Sequence, residues 1–250
     1  IDSHCHFDAS EFDADRAAMF QRAEAVGVQH IVAPAITADS WSTLKRITNE
    51  YPRVHACYGL HPMFIEQHQE EDLDKLADWI RREHPLAVGE IGLDFYVPDL
   101  NSEKQRHFFS AQMKLAERAH LPVIIHARKS VSEVISELLQ WNGPGAVLHS
   151  YSGSAEQAKP LLERNVFFGF GGPVTWPGSK RLQRVVEALP LDNILLETDA
   201  PDQTGNQHRG QRNEPSYLPE VAEKIAHIKK LTVEEVARRT TRNSIKLFNL

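Results

Sequence analysis

The chain has 250 residues, 41% of them hydrophobic, and a formal net charge of −6. That is enough apolar material for a full core, yet no apolar run approaches the ~20 residues that a membrane span needs. The mild acidity excludes a broadly basic surface of the kind that grips nucleic acid in bulk, so an anionic partner must be held by a local cluster or by metal charge.

Cys5 and Cys57 are too few for a disulfide framework. With no signal peptide ahead of the first apolar stretch, they predict a reducing, cytoplasmic setting. Nothing in the composition asks for an obligate protein partner, and a monomer is expected.

Short apolar strands alternate with longer helical stretches along the chain. Residues 1–8 (IDSHCHFD) read as a first strand. Residues 11–26 carry Phe12, Ala17, Phe20, Ala23 and Val26 at helical spacing, and Gly27 stops that helix. Strand two covers 30–36 and a helix 39–50. Strand three covers 53–59, and the helix over 70–83 puts Leu73, Leu76, Ala77 and Ile80 on one face. Strands follow over 86–91, 121–126, 145–149, 166–170 and 193–199, with helices over 102–120, 130–141, 154–164 and 178–189 between them. Residues 215–229 and 232–248 read as two closing helices. Strands that are nearly continuous apolar runs, separated by helices, are parallel and covered on both faces. Eight such cycles predict a single-domain TIM-type (β/α)8 barrel over residues 1–250. The one long irregular stretch is the polar segment 201–215, which reads as a functional loop.

In such a barrel the active site lies at the carboxyl ends of the strands. His4 and His6 are two apart, so they share one face of an extended strand while Cys5 points away. An H-x-H pair alone is weak evidence for a metal. Its weight comes from Glu90, His126, His149 and Asp199, which close the fourth, fifth, sixth and eighth strands. A carboxylate in a barrel mouth is costly without a positive partner. No strand ends in Lys or Arg; Arg128 and Lys129 come only after His126. A metal is therefore the partner expected for Glu90 and Asp199. One divalent ion would take His4, His6, Glu90 and Asp199. A second would take His126 and His149, with Glu90 bridging. Two ions carry a charge of about +4 against −2, and the excess suits a phosphodiester and the activation of water. Glu197, on the face of Asp199 by strand parity but deeper, is assigned to orient a ligand or water, and Asp94 takes a similar outer role. With nitrogen and oxygen ligands only, Mg or Mn is expected in function and Zn or Ni in purified protein. His68, His84, His107, His120 and His227 fall in helices or at their ends and read as solvated or capping.

The segments D-S-H-C-H-F-D (2–8), Y-G-L-H-P (58–62), V-G-E-I-G-L-D-F (88–95), P-V-I-I-H-A-R (122–128), L-H-S-Y-S-G (148–153), L-E-T-D-A-P (196–201) and R-N-E-P-S-Y-L (212–218) together resemble the TatD family of metal-dependent deoxyribonucleases. The likeness is closest to its YjjV-like bacterial branch. It implies an amidohydrolase-like barrel with one or two metals, and Mg-dependent exonuclease action from the 3′ end of single-stranded DNA, sometimes of RNA. Carried over by motif, His4, His6, Glu90, His126, His149 and Asp199 are metal ligands. Asp199 also receives the proton of the attacking water, and His61 contacts the substrate phosphate. Tyr151 stands where the family commonly has Phe, and offers the substrate a hydrogen bond.

Phe95 and Tyr96 either stack on a terminal base or pack the barrel rim. Arg128, Lys129, Arg209 and Arg212 are candidates to hold backbone phosphates. Lys180, Arg181 and Arg184 read as a solvated helix face. Two other functions remain open. One is a small-molecule amidase or lactonase, which would favour a carboxylated Lys where Glu90 stands. The other is a metal-binding barrel that serves as a partner platform without catalysis.

Overall fold

The computed structural model describes residues 1–250. Seven strands form ladders: β1 (Ile31–Pro34), β2 (Val54–Cys57), β3 (Val88–Asp94), β4 (Val123–Arg128), β5 (Ala146–Leu148), β6 (Val166–Phe170) and β7 (Ile194–Leu196). All pair in parallel, β1 with β2 and the rest in the order β3-β4-β5-β6-β7. Single bridges from Asp2 to Ile31, Tyr58 to Val88 and Cys5 to Ala200 complete the ring. The opening segment 1–8 fills the eighth place without a ladder of its own. On one side the Asp2 and Cys5 N–H groups donate to the carbonyls of His30 and Val32. On the other, the N–H groups of Ser3 and His6 donate to Leu196 and Ala200. The fold is the expected TIM-barrel-like one.

The helices are α1 (Arg16–Ala25), α2 (Trp41–Glu50), α3 (Glu71–Glu83), α4 (Ser102–Ala119), α5 (Val131–Gln140), α6 (Ala155–Ala158), α7 (Lys180–Ala188), α8 (Leu218–Lys229) and α9 (Val233–Phe248). Three of them differ from their expected spans for local reasons. The helix expected from residue 11 is broken at 13–15, where the Arg16 guanidinium gathers the carbonyls of Phe7 and Ala9 at 3.0 Å. α6 stops after one turn because Pro160 has no N–H to continue its ladder, and the chain tightens into a 3-10 turn over Lys159–Leu161. Residues Pro215–Tyr217 form a tight 3-10 turn ahead of α8.

Alternation along the strands carries apolar residues and site residues on the same inward face. Ile124 lies two before His126, Val147 two before His149, and Leu195 two before Glu197. These three, with Val32, Cys57, Ala87, Phe167 and the α9 residues Leu247 and Phe248, form a nine-residue buried cluster that plugs the barrel below the site. A larger cluster of 53 residues lies mainly between barrel and helices.

Two buried glutamines on α4, seven residues apart, fix the site strands by their backbone. The Gln112 side chain accepts from Leu60 N–H at 2.8 Å and donates to Leu60 C=O at 3.2 Å, pinning the turn that carries His61. Gln105 clasps the N–H and C=O of Asp94 in the same way, at 2.8 and 2.9 Å. Asp2 ties the opening segment to the far side of the ring: its carboxylate accepts from the Thr198 N–H and hydroxyl at 3.0 and 2.6 Å, and from His4 N–H at 3.2 Å.

Gln112→Leu strands two buried backbone groups and is expected to cost about 2 kcal/mol, read as a lower urea midpoint at unchanged slope. Burial pushes the Asp2 carboxyl up to about 7 despite its hydrogen bonds from Thr198 and His4. A raised carboxyl means that the folded chain binds more protons than the unfolded one from about pH 4 upward. Stability of the metal-free protein therefore falls as pH rises through that window to about 7. Asp2→Asn keeps acceptors for both N–H groups while the Thr198 hydroxyl turns to accept. Thermal melts of this variant should show that slope flattened.

Candidate metal centre

Glu90 is the hub. It lies inside β3, between Gly89 and Ile91, rather than closing the strand as expected; it is 1% exposed, and five imidazoles face it. Its Oε2 lies 3.1 Å from His4 Nε2 and 3.6 Å from His6 Nε2. Its Oε1 lies 3.1 Å from His61 Nε2, 3.1 Å from His126 Nδ1 and 2.9 Å from His149 Nε2. Asp199 Oδ1 joins the first group, 3.5 Å from His4 Nε2 and 3.6 Å from His6 Nε2. The two carboxylate oxygens thus divide the histidines into two sets.

Most of these rings are oriented from behind. His6 Nδ1 faces the Pro34 carbonyl at 3.3 Å, and His126 Nε2 faces Asp94 Oδ2 at 2.9 Å. His149 Nδ1 is turned to Glu197 Oε1 at 3.7 Å. Each of the three therefore offers its other nitrogen to Glu90, the arrangement that fixes imidazole ligands. Glu197 is held by the Ser150 N–H at 2.5 Å, and its Oε2 occupies the space that a side chain at Gly169 would fill. His61 differs. Its Nδ1 accepts from Met63 N–H at 3.1 Å, so Nε2 carries the hydrogen and faces Glu90 as a donor. His68, expected to be solvated or capping, is 1% exposed, and its Nε2 lies 2.9 Å from the His61 carbonyl.

The electrostatics follow burial against charge. Burial drives His4 well below its ordinary value, with His149 adding to the effect, so His4 is neutral. Burial lowers His61 to about 4. Burial opposes charging His149 too, but Glu90 and Glu197 outweigh it and hold that ring protonated. His126 is likewise raised, with Asp94 and Glu90 overcoming burial. Glu90 stays ionised against its burial because the imidazoles surround it. Burial pushes Asp199 up to about 6.

Several buried polar atoms here have no hydrogen-bond partner: both nitrogens of His4, Glu90 Oε2, His149 Nδ1 and Glu197 Oε2. Orphans are rare in folded interiors, and two of these, His4 Nε2 and Glu90 Oε2, face each other at the hub, where a cation would complete both. His4, His6 and Glu90 bring one ligand atom each within 4.8 Å of one another, and so do His4, His149 and Glu197. The cluster is able to hold metal. Above it opens a cavity of about 770 Å³, lined by His6, His61, Glu90, His126, His149 and Asp199. His4 lies beneath, fully buried.

The expected outer residues are placed unevenly. Arg128 borders the cavity, its guanidinium carbon 3.8 Å from the centroid of the exposed Tyr96 ring. Phe95 is half-buried beneath Arg106. Arg212 lies away from the cavity: it pairs with Asp15 at 2.7 and 2.8 Å and covers Phe12. Arg209 stacks over Trp176. Tyr151 is buried against Phe168, and its hydroxyl donates to the Ser154 carbonyl at 2.7 Å, leaving none for a ligand. Parity does not account for the eighth strand. Its ladder ends at Leu196, and Asp199 reaches the cluster with a φ of 56°. Gln203, absent from the sequence reading, donates to Asp199 Oδ2 and accepts from the Ser150 hydroxyl at 2.9 Å. Only its place in the long polar loop hinted at a role.

The chain is 36% identical over 252 residues to YabD of Bacillus subtilis, an uncharacterized metal-dependent hydrolase, covering 100% of this chain and 99% of that protein. The crystal structure of the TatD homolog YjjV from Escherichia coli K12 superposes with a TM-score of 0.95 at 35% identity, over 100% of this chain and 97% of that one. A mouse relative, 33% identical over 99% of this chain and 87% of its own length, bears a provisional deoxyribonuclease name. The model of the family described as "TatD related DNase" matches residues 1–249. The chain belongs to the TatD family and is a metal-dependent hydrolase.

Proposed function

We propose that this hydrolase is a dinuclear phosphodiesterase that trims single-stranded DNA, and also RNA, from the 3′ end in the cytoplasm. The observation that carries the reading is the division of Glu90 between two sets of imidazoles, with Glu90 Oε2 and the His4 Nε2 that faces it both lacking hydrogen-bond partners. In this reading His4, His6, Glu90 and Asp199 hold one ion, and Glu90, His126 and His149 hold the other. Divalent ions there, Mg or Mn in function, supply a water of low pKa and neutralise a phosphate.

The chain's own groups do the rest. The ligand set leaves about two excess positive charges, which select an anionic diester over a neutral amide or lactone. His61 stands at the cavity wall beside Glu90, and its Nε2–H turns from Glu90 to a phosphate oxygen once cations balance that carboxylate. Asp199 receives the proton of the attacking water. Burial, with Glu90 and Glu197 adding to it and His149 and His6 opposing, sets its carboxyl at about 6, and Gln203 holds the opposite oxygen. The buried floor, with His4 at 0% exposure, keeps bulk water away from the inner side of the cluster. The deoxyribonuclease name of the mouse relative supports a nucleic-acid substrate.

A 3′-labelled single strand should be shortened stepwise with Mg or Mn, and not after EDTA treatment; an intact strand in every metal tried would remove the reading. Glu90→Gln removes the ligand common to both sets. Elemental analysis should find less than half the wild-type metal, and activity should fall at least 100-fold, a loss of about 2.7 kcal/mol in transition-state stabilisation. Metal uptake must displace the protons held on His126 and His149. Calorimetry in buffers of different ionisation enthalpy should therefore report proton release, and weaker binding as pH falls.

A further inference from the structure

Beside the metal cavity, and sharing Arg128 and Ser152 with it, runs a groove of about 600 Å³. Its walls come from Tyr96 after β3, the turn between β4 and α5, Gly153 after β5 and the first turn of α7. Three cations line it: Arg128, Lys129 and Arg181. None forms an ion pair, whereas the one acid in the lining, Glu133, is paired with Arg106. Arg181, exposed as the sequence predicts, also reaches across to donate to the Ser152 carbonyl, at the border between groove and cavity. Tyr96 is 56% exposed, and Arg128 covers only one face of its ring.

We infer that this groove carries the body of the substrate strand behind the cut. Lys129 and Arg181 meet successive backbone phosphates, and the open face of Tyr96 receives a base. The inference rests on the nuclease reading and adds a direction to it: the strand leaves the metal cavity past Arg128 rather than over the opposite rim. Unpaired cations beside an exposed aromatic ring make a surface for single-stranded nucleic acid, in which charge follows the backbone and stacking tolerates any base. On a chain with a net charge of −6, such a track must be local, and this one adjoins the site.

The test separates groove from chemistry. Fluorescein-labelled single strands of two to eight nucleotides are titrated into EDTA-treated protein, where no cleavage occurs, across a salt series. Affinity should rise with length until the groove is filled and then level off. Lys129→Gln and Arg181→Gln should each reduce the salt slope by about 0.7, and the double variant by about 1.4, as expected for single strands. With Mn, both variants should raise KM for an octanucleotide severalfold at unchanged kcat. Hydrolysis of bis(p-nitrophenyl) phosphate, too small to reach the groove, should stay within twofold. Variants that bind oligonucleotides with wild-type affinity and slope would overturn the groove while leaving the nuclease intact. A wild-type protein that hydrolyses the small diester yet neither binds nor cuts any oligonucleotide would overturn both.

Discussion

A carboxylate without solvent is the constraint from which the architecture follows. Taking Glu90 out of water costs several kcal/mol, and only well-placed positive or donating groups offset it. Five imidazoles do so here, from the opening segment, the turn after β2, β4 and the turn after β5. No single element brings more than two of them, so the ring must close correctly before the charge is tolerated. The clasp of Gln105 and Gln112 on the backbone of Asp94 and Leu60 serves that end. So does the carbonyl of Pro34 behind His6. Each sets an angle or depth that a freely rotating side chain would lose.

The same crowding divides the histidines by role. His4 is deepest and neutral, with both nitrogens lacking partners. His126 and His149 lean on Asp94 and Glu197 and keep their protons when nothing else balances Glu90. His61 is fixed as a donor by a backbone amide and is thereby set apart from the rings that offer lone pairs. One residue type is thus neutral at one place, protonated at another and a fixed hydrogen-bond donor at a third, and what distinguishes His61, His126 and His149 is the atom that each second nitrogen faces.

Much of this was legible in the sequence because it is periodic or terminal. Apolar runs gave the strands, and polar residues at their ends gave the cluster around Glu90. What stayed hidden depends on partners far away in the chain. Gln105 and Gln112 look like ordinary helix residues until Asp94 and Leu60 are seen beside them; two glutamines on the apolar stripe of α4 were the available hint. Arg212 read as a substrate contact because its partner, Asp15, is 197 positions away. Tyr151 read as a free hydroxyl, but the turn that bears it folds back so that Ser154 takes the bond. Asp199 reached the expected place by an unexpected backbone, with a left-handed residue just past the end of β7.

The seam between the two ends of the ring joins these themes. The opening segment meets its neighbours through scattered single bonds rather than a ladder. His4 and His6 stand on one lip of that seam and Asp199 on the other. An ion shared by both lips, as the proposed ligand sets would place it, would add to those bonds, so that cofactor loading would double as a fastener for this joint. Ligand occupancy and local fraying there would then be two readings of one equilibrium, with removal of the cation loosening the first residues before the core.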